Sequence, residues 1–276
     1  MRRHVEAYAK LNVALRVLRR RDDGFHEIDS LVQTIDLCDE IRIESARESI
    51  EVHNTAAIQG QDLAEAAARG LLAAKGAESG FRILIRKQIP IGAGLGGGSS
   101  DAAAVLSTID AMTPPTIGPN ALRGLAADIG SDVSLFLEGG LLRIRGRGER
   151  TERVASDGEE HYVVIVPPVH CATGPVYDAW KETKSNSSTG LVRGANDLLA
   201  AALSLYPELT PYRDAAQALS AAYWGMSGSG SSFYAAFKKR SDALAAAMYV
   251  TESLPSADVF ACQAVESGHR VIEETP

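Results

Sequence analysis

The stretch Pro90-Ile91-Gly92-Ala93-Gly94-Leu95-Gly96-Gly97-Gly98-Ser99-Ser100-Asp101 decides how the rest of the chain is read. It follows Phe81–Arg86, where Phe81, Ile83 and Ile85 alternate with Arg82 and Arg86, and it leads into the alanine-rich segment Ser99–Met112. A period of two marks a strand and apolar residues at helical spacing mark a helix. The stretch is therefore a strand–loop–helix junction carrying five glycines. Without side chains to shield them, its backbone N–H groups and the helix dipole behind them favour polyanions. Ser99 and Ser100 add hydroxyls that can donate to a phosphate or ligate a metal-bound water. A flexible surface loop is the bland alternative, but linkers rarely join a patterned strand to a helix in so few residues. The loop is read as a phosphate site. Gly92-x-Gly94-x-x-Gly97 also fits the dinucleotide fingerprint, which requires a second strand ending in an acid. Here the helix carries Asp110 on its own body and runs into Pro114-Pro115, so that strand is missing. No Gly-Lys-Ser or Gly-Lys-Thr is present, which removes the common P-loop.

Outward from the loop, the 276 residues suggest one large domain or two small ones. With 28 basic against 35 acidic residues the net charge is −7, so no nucleic-acid partner is expected. Cys38, Cys171 and Cys262 are scattered and odd in number, against a disulfide scaffold or structural zinc. The six histidines show no close pair at helical spacing, which weakens a catalytic metal. No apolar run approaches the ~18 residues of a membrane span, so no membrane partner and a cytoplasmic location are expected.

Strands are expected over Val5–Val17, Ile28–Leu37, Glu40–Glu44, Ser49–His53, Phe81–Arg86, Leu141–Ile144, Tyr162–Val166, Ser232–Phe237 and Val259–Val265. Helices are expected over Gln61–Lys75 with Gly76 as the stop, Ser99–Met112, Asn120–Ile129, Leu198–Leu205 with Asn196 as N-cap, Tyr212–Trp224 and Asp242–Leu254. Lys181–Gly194 is a Ser/Thr/Asn-rich surface loop, and Gly225–Gly230 is a second glycine cluster. The mixture lacks a steady βαβ rhythm, which argues for an α+β protein in two subdomains. The polar segment Val154–Glu160 divides the chain into 1–153 and 154–276.

The motif Pro90-x-Gly92-x-Gly94-Leu95-Gly96-Gly97-Gly98-Ser99-Ser100 resembles the ATP loop of the GHMP kinases. Ala9-Lys10-Leu11-Asn12 and Ser227-Gly228-Ser229-Gly230 are similar to that family's other two signatures, in order. Ile129-Gly130-Ser131-Asp132-Val133 resembles the segment that carries its acidic base. Asp23-Gly24-Phe25-His26-Glu27, Gly146-Arg147-Gly148-Glu149 and Asn196-Asp197-Leu198 narrow the likeness to the branch acting on a cytidine-diphosphate-linked methyl tetrol. The likeness spans about Val5 to Val265. It implies a two-subdomain fold with the active site in the cleft between subdomains, and ATP-dependent phosphorylation of the tetrol's 2-hydroxyl, a step towards isoprenoid precursors. ATP and Mg²⁺ are the implied cofactors, and a monomer or homodimer the implied state. The metal ligands are left open.

By resemblance, Pro90, Gly92, Gly94, Leu95, Gly96, Gly97, Gly98, Ser99, Ser100 and Asp101 bind ATP. Asp132 accepts the hydroxyl proton and Lys10 holds Asp132 ionised; residues 1–153 then carry the ATP loop and base, and 154–276 the substrate side. A lysine in an apolar strand pattern is costly unless paired, which independently favours a Lys10–Asp132 pair. A solvated edge-strand lysine and an N-cap or turn aspartate are the plainer alternatives. Asn12 is implied to position substrate hydroxyls, Phe25 and Tyr177 to sandwich the cytosine, and His26 to bond its edge. Thr173 is a further substrate contact, and Gly228 and Gly230 admit the substrate diphosphate. A turn or core histidine and a tight glycine turn are the alternatives. Phe25 stands where the family has Tyr, Ser134 where it has Pro, and Asp62-Leu63 where it has an adenine-contacting Asn-Leu. The arginine runs Arg19–Arg21 and Arg143–Arg147 read as solvated faces, with a local role in attracting phosphates as the alternative. Another GHMP kinase, or a non-catalytic nucleotide-binding relative, are the competing functions.

Overall fold

A computed structural model describes residues 1–47, 49–57, 60–156, 158–181 and 190–275. The chain opens with a long antiparallel hairpin, β1 (Arg2–Arg20) and β2 (His26–Ala46). It continues through β3 (Ile50–Asn54), α1 (Leu63–Lys75), β4 (Gly80–Arg86), α2 (Gly97–Met112), α3 (Pro119–Ile129), α4 (Val133–Glu138), β5 (Leu141–Gly146) and β6 (Arg150–Arg153). Then follow β7 (His161–Val166), α5 (Thr173–Ala179), α6 (Leu199–Leu205), α7 (Thr210–Ala218), β8 (Tyr223–Met226), β9 (Phe233–Phe237), α8 (Arg240–Ser253), β10 (Asp258–Gln263) and β11 (His269–Thr275).

Two sheets carry these elements. The first runs β11-β1-β2-β4-β3, with β5 also paired to β2 and β6 to β5. The second runs β10-β7-β9-β8. β2 serves two neighbours: Ile28–Gln33 pairs with β5 and Glu40–Ala46 with β4. The break expected between Leu37 and Glu40 is not a turn. The register passes from Tyr8 opposite Cys38 to Ala9 opposite Ile35, so Asp36 and Leu37 form a bulge in one continuous strand. Polar Asp36 and Asp39 look like breakers in the sequence, but each accepts backbone N–H bonds, from Gln263 and from Gln88 and Ile89 respectively.

β1 is covered on both faces, which explains its nearly continuous apolar run. Val5, Ala7 and Leu15 join the core beneath α1 and α2, while Ala9, Leu11 and Val13 pack against Tyr162, Val164 and Tyr234 of the second sheet. Gly76 ends α1 as expected, in the left-handed conformation with φ +59°. Segment 154–160 links β6 to β7, and the last strand, β11, crosses back to pair with β1.

The helix expected over Tyr212–Trp224 stops at Ala218, and Tyr223 and Trp224 pair with Ala236 and Ala235 as β8. Sheet pairing overrides helical spacing there. α4, α5, β6 and β11 were not anticipated. They are short or, like β11, carry only two adjacent apolar residues, Val271 and Ile272, both exposed. Of the loop expected over Lys181–Gly194, residues 182–189 lie outside the described residues.

Candidate active site

Two hollows share a wall. The larger, about 570 Å³, is lined from both halves of the chain, by Lys10, Asn12, Phe25, His26, Asp132, Thr173, Tyr177, Gly228 and others. The smaller, about 320 Å³, is lined by Pro90–Ser99, Asp101, Lys87, Asn54 and Asp62. Gly94 and Gly96 border both, so the glycine loop stands between them.

The sequence supplies a reason for glycine in terms of ligand approach, and the structure adds a second one from packing. Leu95 O accepts the Lys10 N–H at 2.9 Å, and Ala93 O accepts that of Ser232 at 3.2 Å. The Ser227 hydroxyl donates to Gly94 O at 2.8 Å. Gly94 has φ +78°, and a Cβ there would overlap the Ser227 carbonyl oxygen. The two glycine clusters thus touch, and only a residue without a side chain fits. Leu95 is buried, Gly97 and Gly98 open α2, and Ser99 faces the smaller hollow. Ser100 is fully buried and its hydroxyl has no hydrogen-bond partner among the described residues. Asp101 turns one carboxylate oxygen inward to Lys87.

Lys10 and Asp132 come together across the floor of the larger hollow, 3.9 Å apart. Lys10 is 5% exposed and lies in β1, an interior strand, which removes the edge-strand alternative. Its Nζ donates to Asn12 Oδ1 at 2.5 Å. Burial pulls its pKa below the ordinary 10.5, with the Asp132 charge opposing. Asp132 precedes α4 but makes no side-chain cap bond, so its carboxylate is not used as a cap. A Cβ on Gly148 would stand 3.4 Å from Asp132 Oδ1, so the Gly146–Glu149 turn closes over the carboxylate. Ser134, in the position noted for its departure from Pro, is buried within α4.

Asn12 is held at both ends. Its Nδ2 donates to Ser30 Oγ at 2.9 Å, and Ser30 in turn donates to Ala14 O at 2.5 Å. Gly228, at φ +58°, is the nearest part of the second glycine cluster: a Cβ there would lie 3.6 Å from Lys10 Nζ. Gly230 is not in the wall and faces Met226 and Cys171 instead. Thr173 Oγ1 and Ser229 Oγ are hydrogen bonded at 3.1 Å.

The aromatic end is built by β2 and α5. His26, nearly buried, packs against Tyr177 with ring centroids 5.1 Å apart and edge-on to Trp180 at 5.8 Å. Burial, then Arg20, lowers the His26 pKa, with Asp178 opposing. Phe25 is 52% exposed, and the Arg147 guanidinium lies 4.9 Å over its ring. Arg20 and Arg147 line this hollow, so the arginine runs are not wholly solvated faces.

Sequence reasoning passed over Ser30, Ser227 and Lys87. Ser227 was visible within Ser227-Gly228-Ser229-Gly230, whereas Ser30, inside a patterned strand, and Lys87, just after one, carried no signal.

The fold is that of a GHMP kinase: the family's N-terminal domain matches residues 62–140 and its C-terminal domain residues 184–256. A 4-diphosphocytidyl-2-C-methyl-D-erythritol kinase of Caldicellulosiruptor saccharolyticus is 34% identical over 88% of this chain and 91% of its own. One from Geobacter metallireducens is 33% identical over 90% and 94%. A crystal structure of 4-(cytidine 5'-diphospho)-2C-methyl-D-erythritol kinase superposes with TM-score 0.81 at 34% identity, covering 96% of this chain and 99% of that one. The chain belongs to the 4-diphosphocytidyl-2-C-methyl-D-erythritol kinase family of GHMP kinases. The homoserine kinase of Cytophaga hutchinsonii, 17% identical with TM-score 0.78, shares the fold.

Proposed function

We infer that this chain is an ATP-dependent kinase that phosphorylates the 2-hydroxyl of 4-diphosphocytidyl-2-C-methyl-D-erythritol in the non-mevalonate route to isoprenoid precursors. The observation that carries this is the placement of the Lys10–Asp132 pair in the larger hollow, beside the glycine loop that separates it from the smaller one. ATP lies in the smaller hollow with its phosphates along Gly92–Ser99. The cytidine compound lies in the larger one, with its base at His26, Phe25 and Tyr177 and its hydroxyl at Asp132. The division of labour runs between 1–153, with the phosphate loop and base, and 154–276, which closes the substrate side through Thr173, Tyr177 and Gly228.

Phosphoryl transfer depends on alignment and on neutralising charge. The substrate oxygen bonds to the γ-phosphorus as the bond to the β–γ bridging oxygen breaks, and the hydroxyl proton passes to Asp132. Lys10, held by Asn12, lies 3.9 Å from Asp132 and faces the oxygens whose charge changes. The Phe25, His26 and Tyr177 rings in the wall suit a flat base, which favours the cytidine substrate over homoserine or mevalonate. Stacking on such a surface contributes ~1–3 kcal/mol.

Mg²⁺ fits the residues present. Among the described residues no three His, Cys, Asp or Glu side chains cluster as a metal site. The hydroxyl in the loop's wall is Ser99, with the carboxylates of Asp62 and Asp101 in the same hollow. That suits an ion that keeps water and phosphate oxygens as most of its ligands. Ser99 would hold it, and it would neutralise phosphate charge. No helix among the described residues is long and apolar enough to cross a membrane.

An ADP-release assay tests the function. Turnover is expected with ATP and the cytidine compound and not with homoserine or mevalonate; turnover of those alone would overturn the assignment.

A further inference from the structure

Lys87 ends the approach to the glycine loop and Asp101 begins the departure from it. Its Nζ lies 2.6 Å from Asp101 Oδ2 in the first turns of α2, and 2.5 Å from Asp39 Oδ2 in β2. All three side chains are at most 5% exposed. The other oxygen of Asp39 accepts the N–H groups of Gln88 at 2.6 Å and Ile89 at 2.9 Å. A Cβ on Gly97 would stand 3.2 Å from Lys87 Nζ, so the ammonium lies directly beneath the start of α2.

We propose that Lys87 is a positioning residue for ATP: with Asp39 and Asp101 it clasps the two ends of the phosphate loop together and cancels the carboxylate charge behind it. This rests on the assignment of the smaller hollow to ATP. The clasp joins residues 14 positions apart and fixes the loop's span to the sheet before any ligand arrives. Preorganised donors cost no ordering on binding. A carboxylate in the first turns of α2 would otherwise repel phosphate from the N-terminus that attracts it. Burial, then Asp39, pushes the Asp101 carboxyl well above its ordinary range, with Lys87 opposing. Burial works against the charged Lys87, but Asp101 and Asp39 outweigh it and hold the ammonium above its usual value. Nothing in the clasp reaches the larger hollow, which Lys87, Asp39 and Asp101 do not line. Its effect falls on ATP and not on the acceptor.

The test uses Lys87→Met and the double variant Lys87→Met/Asp101→Asn. ATP affinity is measured by calorimetry and both KM values by ADP release. Lys87→Met is expected to weaken ATP binding and raise the ATP KM tenfold or more, with the KM for the cytidine compound within twofold. The double variant removes one uncompensated carboxylate, so its thermal midpoint recovers while the ATP KM stays raised. An unchanged ATP affinity, a parallel rise in both KM values, or recovery of ATP KM together with the midpoint would each overturn the proposal. If Lys87→Met alone is insoluble, the double variant must still show the same split between the two KM values. A wild-type enzyme inactive on the cytidine compound would sink the functional assignment instead, and calorimetric ATP binding would still test the clasp.

Discussion

Two buried lysines sit on either side of the glycine loop and are treated in opposite ways. Lys10 has one carboxylate, Asp132, at 3.9 Å, and a neutral amide, Asn12, at 2.5 Å. Lys87 has two carboxylates within 2.6 Å. Burial penalises both ammonium groups, and it prevails at Lys10 but not at Lys87. The difference is one of partner number and distance, since Coulomb attraction must offset desolvation. A lysine held tightly by two acids is committed to structure. One held loosely, with its acid partly open to a hollow, remains available to reacting groups.

The largest expected effect comes from removing the acid facing Lys10. Asp132→Asn keeps the shape and loses the base, and kcat should fall by about 10²–10⁴ with little change in the ATP KM. Full activity in steady-state assays would refute the role of Asp132. A sharper probe converts the surroundings of Lys10 towards those of Lys87. Asn12→Asp adds a second carboxylate at hydrogen-bonding distance, which should raise the Lys10 pKa. In the wild type, Lys10 loses its proton below the ordinary 10.5, so kcat/KM should decline on the alkaline side below that value. In Asn12→Asp that limb should move to higher pH, and a limb that stays put would separate it from Lys10.

The smallest effect is on stability. Lys87 has a raised folded pKa, so its stabilising contribution is complete below the unfolded value near 10.5 and is lost as pH rises through the folded one. Lys10 has the opposite sign: its depressed pKa carries a cost at neutral pH that is relieved as pH rises towards 10.5. Denaturant midpoints above pH 10.5 should therefore fall more steeply for the wild type than for Lys87→Met/Asp101→Asn. Parallel slopes would show that the clasp titrates with the bulk lysines.

Much of the site was legible in the sequence because it is written in short local motifs. Gly92–Ser99, Lys10, Asn12, Asp132, His26 and Tyr177 each carry a residue type in a recognisable setting, and the structure gathers them around the two hollows. Helices with clear period and stop signals, such as α1 before Gly76, were equally visible. The bulge at Asp36–Leu37, the conversion of Tyr223-Trp224 into β8 and the return of β11 were not. Each depends on a strand remote in sequence.

Asn196 marks the boundary between the two kinds of information. Its sequence setting points to a helix N-cap, but α6 is capped at Leu198, two residues on, and Asn196 Oδ1 accepts the Leu198 N–H at 2.8 Å. Its Nδ2 also holds the carbonyls of Met226 and Gly228, each at 2.8 Å, which no local pattern shows. By itself the sequence determined the chemistry available here: a glycine loop feeding a helix, a lysine in an apolar strand, an aspartate after Gly-Ser and a histidine beside an aromatic. Only the tertiary structure decided which charges meet. Local periodicity fixes the face on which a side chain lies, whereas burial and partner distance, which set its charge and its task, are properties of residues brought together from across the chain.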